Sequence, residues 1–459
     1  MAPSSVKASQ RALDNLKYYA GSCRDSVQDV GNRYAITANV DDTVREKIAS
    51  STLKIMNQFS FIDDTTILPT WTHYNRLVRL VTKLHTTLRR YEDSEPDEET
   101  MGDLLDMLED WSYKFDRYWF LFAIYGDDPT PLIQCLPGHT PNDRPTTLTG
   151  PLYGHHVVLN STIQHLNIQH RGRNVIVDGH GLIVNHEDPS LSNNFHEGNS
   201  LSNRLRNAAA LSSSLMNAVA VLPVHRQTPT PLVFETEVEV DNLDTLRTAL
   251  WNHDLVVPDE NAKFAFGIAE AVHGLHVCNV QHGSIMPECV LVATTTKALL
   301  HGFLCDPSGD WGWRTSDGTP YTCSRYYNLA RRGQRTMKDD IRNLGICLLE
   351  LGSTHSFLAK QDEFPGPGEL WTVDSTRSPL LRPSKLTPKE LLGHADDMLD
   401  DLGHRFSAAV RACLTVSDQR LGEQTCDEKV DLSIWFIDNV LLELRKVNVD
   451  YEEIPPENR

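Results

Sequence analysis

The 459 residues carry 62 acids against 43 lysines and arginines, a formal charge of −19, with 40% hydrophobic and 8% aromatic side chains. That apolar content is enough for two or three ordinary cores, and the charge, with no dense run of Lys/Arg to reverse it locally, argues against a nucleic-acid partner. Nine cysteines, at 23, 135, 278, 289, 305, 323, 347, 413 and 426, form no C-x-x-C pair and are odd in number, which suits a reducing compartment. The first ten residues lack the apolar core of a secretory signal, and no apolar run approaches the roughly 20 residues that cross a bilayer. The expectation is an intracellular protein, cytoplasmic or nuclear, with no membrane association.

In chain order, apolar residues recur at helical spacing from Ser9 to about Tyr125. One stripe is Tyr74, Leu77, Val78, Val81, Leu84 and Leu88; a second is Leu104, Leu105, Leu108, Trp111, Phe115 and Trp119. The charged stretch Glu92–Glu99, with Pro96, ends the first of these helices, and its acids suit the N-terminus of the next. Two earlier patterns, roughly 8–30 and 42–60, complete an expected four-helix bundle over residues 1–128. Residues 129–150 hold five prolines among Asp, Asn and Thr and read as a linker. Short β-type runs follow at His156–Leu159, Asn174–Val177, Leu182–Val184, Val219–Val224 and Leu232–Phe234, interrupted by a helix-like stretch at Leu201–Met216. From about Asp259 helical patterns dominate again. This α+β order places a strand-rich segment at 151–236, a helical one at 237–447 and a tail at 448–459.

Phe264 to His276, ending in Leu275-His276, followed by His282-Gly-Ser-Ile-Met-Pro-Glu-Cys-Val-Leu-Val292, resembles the protein kinase superfamily, in which a helix ending in Leu-His leads into a catalytic loop H-G/R-D-x-K-P-x-N-x-L-L. Leu232–Glu235 is similar to the strand and hinge between lobes, and Asn242–Arg247 to the short helix after it. Ala298–Leu304 stands where the family has its metal-binding D-F-G turn, 17 residues separating Ser284 from His301. Asp339 to Leu351 resembles the buried D-x-x-x-L-G helix of the large lobe, and Ser417–Leu421 the D-x-x-x-R turn near its end. The likeness runs over residues 150–447 and implies a bilobal kinase-like domain after the helical bundle, with the small lobe at 151–236 and the large lobe at 237–447.

Phosphoryl transfer needs a base, oxygen ligands for metal and a Lys on the phosphates. On the matching positions the catalytic-loop Asp is Ser284, whose neutral hydroxyl is no base; the loop Lys is Met286; the metal-holding Asn is Cys289, a soft ligand for a hard cation. The D-F-G acid becomes His301, followed by Gly302 and Phe303. No lysine occurs between Lys114 and Lys263, so the strand Lys has no candidate; Asn185 stands near its expected position, and Gly179-His-Gly181 lacks the third glycine of a phosphate loop. The matching residues are architectural: His282, Asp340, Gly345 and Arg420 correspond to the internal hydrogen-bonding and packing set of the large lobe.

Other constellations carry less. Histidines at 155, 156, 165, 170, 180, 186 and 196 lack the spacing of a helical metal site, and Ser284 near His282 has no G-x-S-x-G elbow around it. The resemblance therefore implies a catalytically inactive pseudokinase, without cofactor, metal or ATP, that serves as a scaffold or signalling regulator for a protein partner. Two alternatives stand beside it: an atypical nucleotide-binding transferase using Glu235, Asp306 or Asp310, and a cell-death effector whose bundle, linker and pseudokinase resemble the layout of mixed-lineage kinase domain-like proteins.

Overall fold

The computed structural model describes residues 3–36, 41–64, 71–92, 94–95, 97–125, 167–171, 174–178, 219–221, 224–226, 233–234, 242–252, 258–277, 281, 285–287, 290–294, 300–304, 313–314, 320–321, 336–359, 366–367, 388–397 and 399–453. These residues are mostly helical. The chain divides into two compact units, Met1–Thr147 with Thr425–Val430, and Leu148–Gln424 with Asp431–Arg459. The expected linker 129–150, the runs 156–159 and 182–184 and the helix 201–216 lie outside the described residues.

The first unit is built from α1 (Pro3–Ala35), α2 (Asp42–Asp64), α3 (Trp71–Glu92) and α4 (Glu98–Tyr125). α1 packs on α2 and α3, and α4 packs on the same two, so the four helices close a ring around one core. The apolar stripes turn inward as their spacing predicts: Leu77, Val81, Leu84 and Leu88 of α3 and Leu104, Leu105, Leu108, Trp111, Phe115 and Trp119 of α4 are buried, while Val78 is half-buried. They meet Leu16, Cys23 and Val27 of α1 and Ile48, Ile55 and Phe59 of α2. Trp111, Phe115 and Trp119, one turn apart, stack with ring centroids 5.1 and 5.6 Å apart, and Phe59 lies 5.3 Å from Trp111. Buried polar atoms are tied across helices. Trp111 Nε1 donates to Leu80 O at 3.1 Å, and Gln58 Nε2 to Ser112 O and Oγ at 3.1 and 3.0 Å. Asp97 caps α4 by accepting from the Thr100 N–H at 2.7 Å, and its hydrogen bonds with the Thr100 side chain and N–H hold its carboxyl below the ordinary value.

In the second unit the backbone pairs in short strands: β1 (Asn167–Arg171) with β2 (Asn174–Asp178), and β3 (Val219–Val221), β4 (Val224–Arg226), β5 (Val233–Phe234), β6 (Asn242–Thr245), β7 (Val290–Thr294) and β8 (Leu300–Leu304) beyond them. Four of these make one sheet in the order β3-β8-β7-β6, with β3 parallel to β8 and the other pairs antiparallel; β4 pairs with β5. Asn242–Thr245, expected as the start of a short helix, is instead strand, because Asn242 to Thr245 pair with Thr294 to Leu291; helix α5 begins only at Leu246 and ends at Asn252. Such pairing is non-local and overrides local preference.

Helices α6 (Pro258–Val277), α7 (Met337–Ser353), α8 (Pro388–Asp397), α9 (Leu399–Leu414), α10 (Cys426–Phe436, its residues to Val430 counted with the first unit) and α11 (Leu442–Glu453) make up the rest, with two-residue strand pairs Trp313–Arg314 with Pro320–Tyr321 and Leu358–Ala359 with Gly366–Pro367. α6 packs on α7, α9 and α11 and on strands β3 and β8, and α7 packs on α9. α11 runs on to Glu453, into the segment expected as a tail, since one further hydrogen bond per residue extends a helix once it is nucleated.

Gly345 of α7 is a contact point: a Cβ there would stand 2.7 Å from Cys413 Cβ and 3.3 Å from Leu414 Cγ and Cδ2 on α9. Because the obstructing Cβ is fixed to its backbone, the helices would have to part. Gly345→Ala is expected to lower unfolding free energy by about 1–3 kcal/mol, whereas Gly102→Ala, exposed on α4 with nothing within 4 Å of its Cβ, should raise it by about 0.5–1 kcal/mol; urea titrations of both variants check the pair. Burial also pushes the Cys23 thiol up to about 12 and raises that of Cys413, and Cys347 is buried as well. Peptide mapping after iodoacetamide at pH 8 should find all three unmodified in the folded protein and modified in urea.

Candidate functional site

Two helices of the second unit are buried almost all round. In α6 the residues from Gly267 to Val277 are buried without exception, and in α7 those from Asn343 to Gly352. A helix enclosed on every side is normally apolar throughout, yet these carry Asn261, Glu270, His273 and His276, and Asp340, Asn343 and Glu350. Asp340, Asn343, Cys347 and Glu350 recur at helical spacing and so share one face of α7. Each polar group withdrawn from water needs a partner of its own.

α7 is fixed at both ends. Thr336 Oγ1 accepts from Asp339 N at 3.0 Å as the N-cap, and the Glu423 carboxylate accepts from Met337 N at 2.6 Å and Lys338 N at 3.3 Å, placing negative charge on the positive end of the helix. At the other end Thr354, with φ 57°, donates its N–H to Leu351 O at 3.2 Å and turns the chain back. That reversal brings Ser356 and Phe357 onto Glu350. The Glu350 carboxylate, wholly excluded from solvent, accepts from Phe357 N at 2.8 Å, from Ser356 Oγ at 3.2 Å and from Arg247 Nη1; Arg247 also donates to Ser356 Oγ at 2.6 Å. A buried guanidinium, a carboxylate, a hydroxyl and a backbone amide thus form one closed network joining α5, α7 and the turn after α7. Beside it, His276 Nε2 lies 3.1 Å from Asp340 Oδ2, both buried, linking the end of α6 to the head of α7. Asn261 Nδ2 reaches Leu351 O at 3.5 Å, and the His273 ring stacks on Phe436 at 5.9 Å.

The sequence-based site residues distribute as follows. Met286 is fully buried, as are Ile285 and Pro287 on either side, so its thioether faces the interior. Asp340 and Gly345 are interior, the first in the hydrogen bond with His276 and the second at the contact with Cys413. Arg420 is exposed, in contrast to the interior role that the resemblance implies. His301, Gly302 and Phe303 are strand positions rather than a turn: they pair with Ala293, Val292 and Leu291 of β7, and Gly302 and Phe303 also with Val219 and Ala220 of β3. His282, Ser284 and Cys289 lie outside the described residues. Among the described residues no group of three His, Cys, Asp or Glu side chains is placed to hold a metal ion, and no helix is long and apolar enough to cross a membrane. Sequence reasoning missed Arg247, His276 as a hydrogen-bonding group and Glu350. The available signal was a lone acid inside Ile346-Cys-Leu-Leu-Glu-Leu351, where an unpaired charge would be untenable.

What this arrangement does chemically is hold rather than react. Removing one member of a buried charge pair leaves the other uncompensated, at a cost of about 3–5 kcal/mol. Arg247→Met and Glu350→Met should each destabilise the second unit by roughly that amount, whereas the double variant should lose less than the sum of the two. Chemical denaturation followed by circular dichroism reads this; single variants within 0.5 kcal/mol of the parent, on the order of an ordinary surface change, would contradict it.

No family model, curated protein or solved structure matches the chain.

Proposed function

We propose that the chain is a catalytically inactive kinase-like protein that acts as a protein-binding scaffold or signalling regulator. The observation that carries this reading is the burial of Met286. At the position where the resemblance expects a lysine reaching for phosphate stands an apolar side chain with no solvent exposure, which has nothing to offer a substrate. The hydrogen bond between His276 and Asp340 supports the same alignment, because it joins the helix leading into that loop to the head of the helix taken for the buried one of the large lobe. A chain that keeps the frame and lacks the base, the metal ligands and the phosphate lysine retains surfaces for a partner and no route to transfer.

One observation favours a nucleotide-binding transferase as a second reading. The stretch matched to the D-F-G turn is strand, and β8 ends at Leu304; the first carboxylate after that strand in the sequence is Asp306. A metal-binding acid displaced by this much restores one of the missing groups.

Titrating ATP into the full chain, alone and with Mg²⁺ or Mn²⁺, separates the two by the shift in melting temperature. Ligand at 100 times its dissociation constant stabilises by about 2.7 kcal/mol. The scaffold reading expects no shift under any of the three conditions. A metal-dependent shift that Asp306→Asn abolishes would replace it with the transferase.

A further inference from the structure

The charges of the four-helix unit are segregated. α3 carries Arg76, Arg79, Lys83, Arg89 and Arg90 against the single acid Glu92, while α4 from Glu98 to Asp110 carries six acids and no base. Neither helix shows this as a run, because the charges are interleaved with the buried apolar positions; it emerges only at helical spacing. Arg79, Lys83 and Arg90 fall on one stripe of α3, at i, i+4 and i+11, and Glu99, Asp103, Asp106 and Asp110 on one stripe of α4, at i, i+4, i+7 and i+11. The two stripes therefore share their spacing and differ in sign.

Arg79, Lys83, Arg89 and Arg90 are exposed, as are Glu98, Glu99, Asp103 and Asp106. None of the four bases is held in an ion pair among the described residues, although α3 and α4 pack on each other. Each helix spends its inward face on the apolar core and turns most of its charge to solvent, Arg76, Glu109 and Asp110 being half-buried. From Arg79 to Arg90 the basic stripe runs about 16 Å at 1.5 Å per residue, the length of a helix face rather than of an extended surface.

We infer that the basic stripe of α3 is a docking surface for a second copy of this chain, which presents the acidic stripe of its α4. The charge on the page selects this occupant. A broad anionic surface such as a membrane would also lie against the acids of α4 and of a chain that is negative overall, whereas a second copy offers exposed acids at matching helical spacing, Glu99, Asp103 and Asp106, within the roughly 8 Å over which charge acts at physiological salt. Since the two faces differ, the contact is head-to-tail: each copy accepts one neighbour and offers itself to another. Built from exposed ion pairs, it is weak and salt-sensitive. It concerns the first unit alone and stands whether or not the second is kinase-like.

Sedimentation velocity of the full chain tests it. At 50 mM salt the weight-average sedimentation coefficient should climb with protein concentration, and at 500 mM the climb should vanish. The double reversals Arg79→Glu/Lys83→Glu and Glu99→Lys/Asp103→Lys should each abolish self-association at 50 mM salt, and mixing the two variants should restore a complex, because each keeps the face the other has reversed. All four positions are exposed, and an unchanged melting temperature confirms folding; should either variant fail to fold, the salt and concentration series of the parent chain decides. A parent chain monomeric at every concentration overturns the proposal, as does association that survives both reversals. A monomeric parent that floats with phosphatidylserine vesicles and loses them on Arg79→Glu/Lys83→Glu overturns it in favour of a lipid surface.

Discussion

Glu350 is the residue on which the second unit turns. A carboxylate with no access to water is tolerable only if its charge is met, and here it is met from three directions: a guanidinium on α5, a hydroxyl and a backbone amide from the turn after α7. That requirement reaches outward. It fixes where α5 sits against α7, and it requires α7 to end at Thr354 so that Ser356 and Phe357 fold back. The hydrogen bond from His276 to Asp340 repeats the arrangement ten residues earlier on the same helix face, tying in α6. The apolar core supplies most of the drive to fold, but it does not discriminate among registers of two enclosed helices. The polar pairs, which tolerate only one register, do so.

The first unit follows a different logic. Its helices are amphipathic, its core is a ring of aliphatic and aromatic side chains, and its polar links, Gln58 to Ser112 and Trp111 to Leu80, are few. That difference decides what the sequence makes legible. Leu77, Val81, Leu84 and Leu88 announce a buried face because charges flank them on the other sides, and the same holds for Leu104 to Trp119. Over their enclosed stretches α6 and α7 have no exposed polar face to set the period, and only landmarks such as Leu275-His276 and Asp340 to Gly345 mark their place in the sequence.

The remainder was illegible for identifiable reasons. Arg247 and Glu350 are 103 residues apart, and no local pattern joins them. Asn242–Thr245 looks like the start of a helix until β7 is placed alongside it. His301-Gly-Phe303 reads as a degenerate turn when judged by its spacing from Ser284, whereas its alternation with β7 makes it a ladder. Arg420 takes its interior role from the likeness of Ser417–Leu421 to the D-x-x-x-R turn, and a motif fixes a position along the chain and not a depth. Charge behaved in the same way: a net value of −19 conceals a helix with five bases, because a total has no direction.

The column of rings on α4 has an optical consequence. Trp111 and Trp119 are buried and flank Phe115 in a stack, with Phe59 against one end, so their transitions are held in a fixed chiral relation away from water. Trp251 and Trp435, the tryptophans of the second unit whose burial is described, are only half-buried. The stacked column therefore gives the bundle a near-ultraviolet signature, by which the loss of its order is visible without any added label.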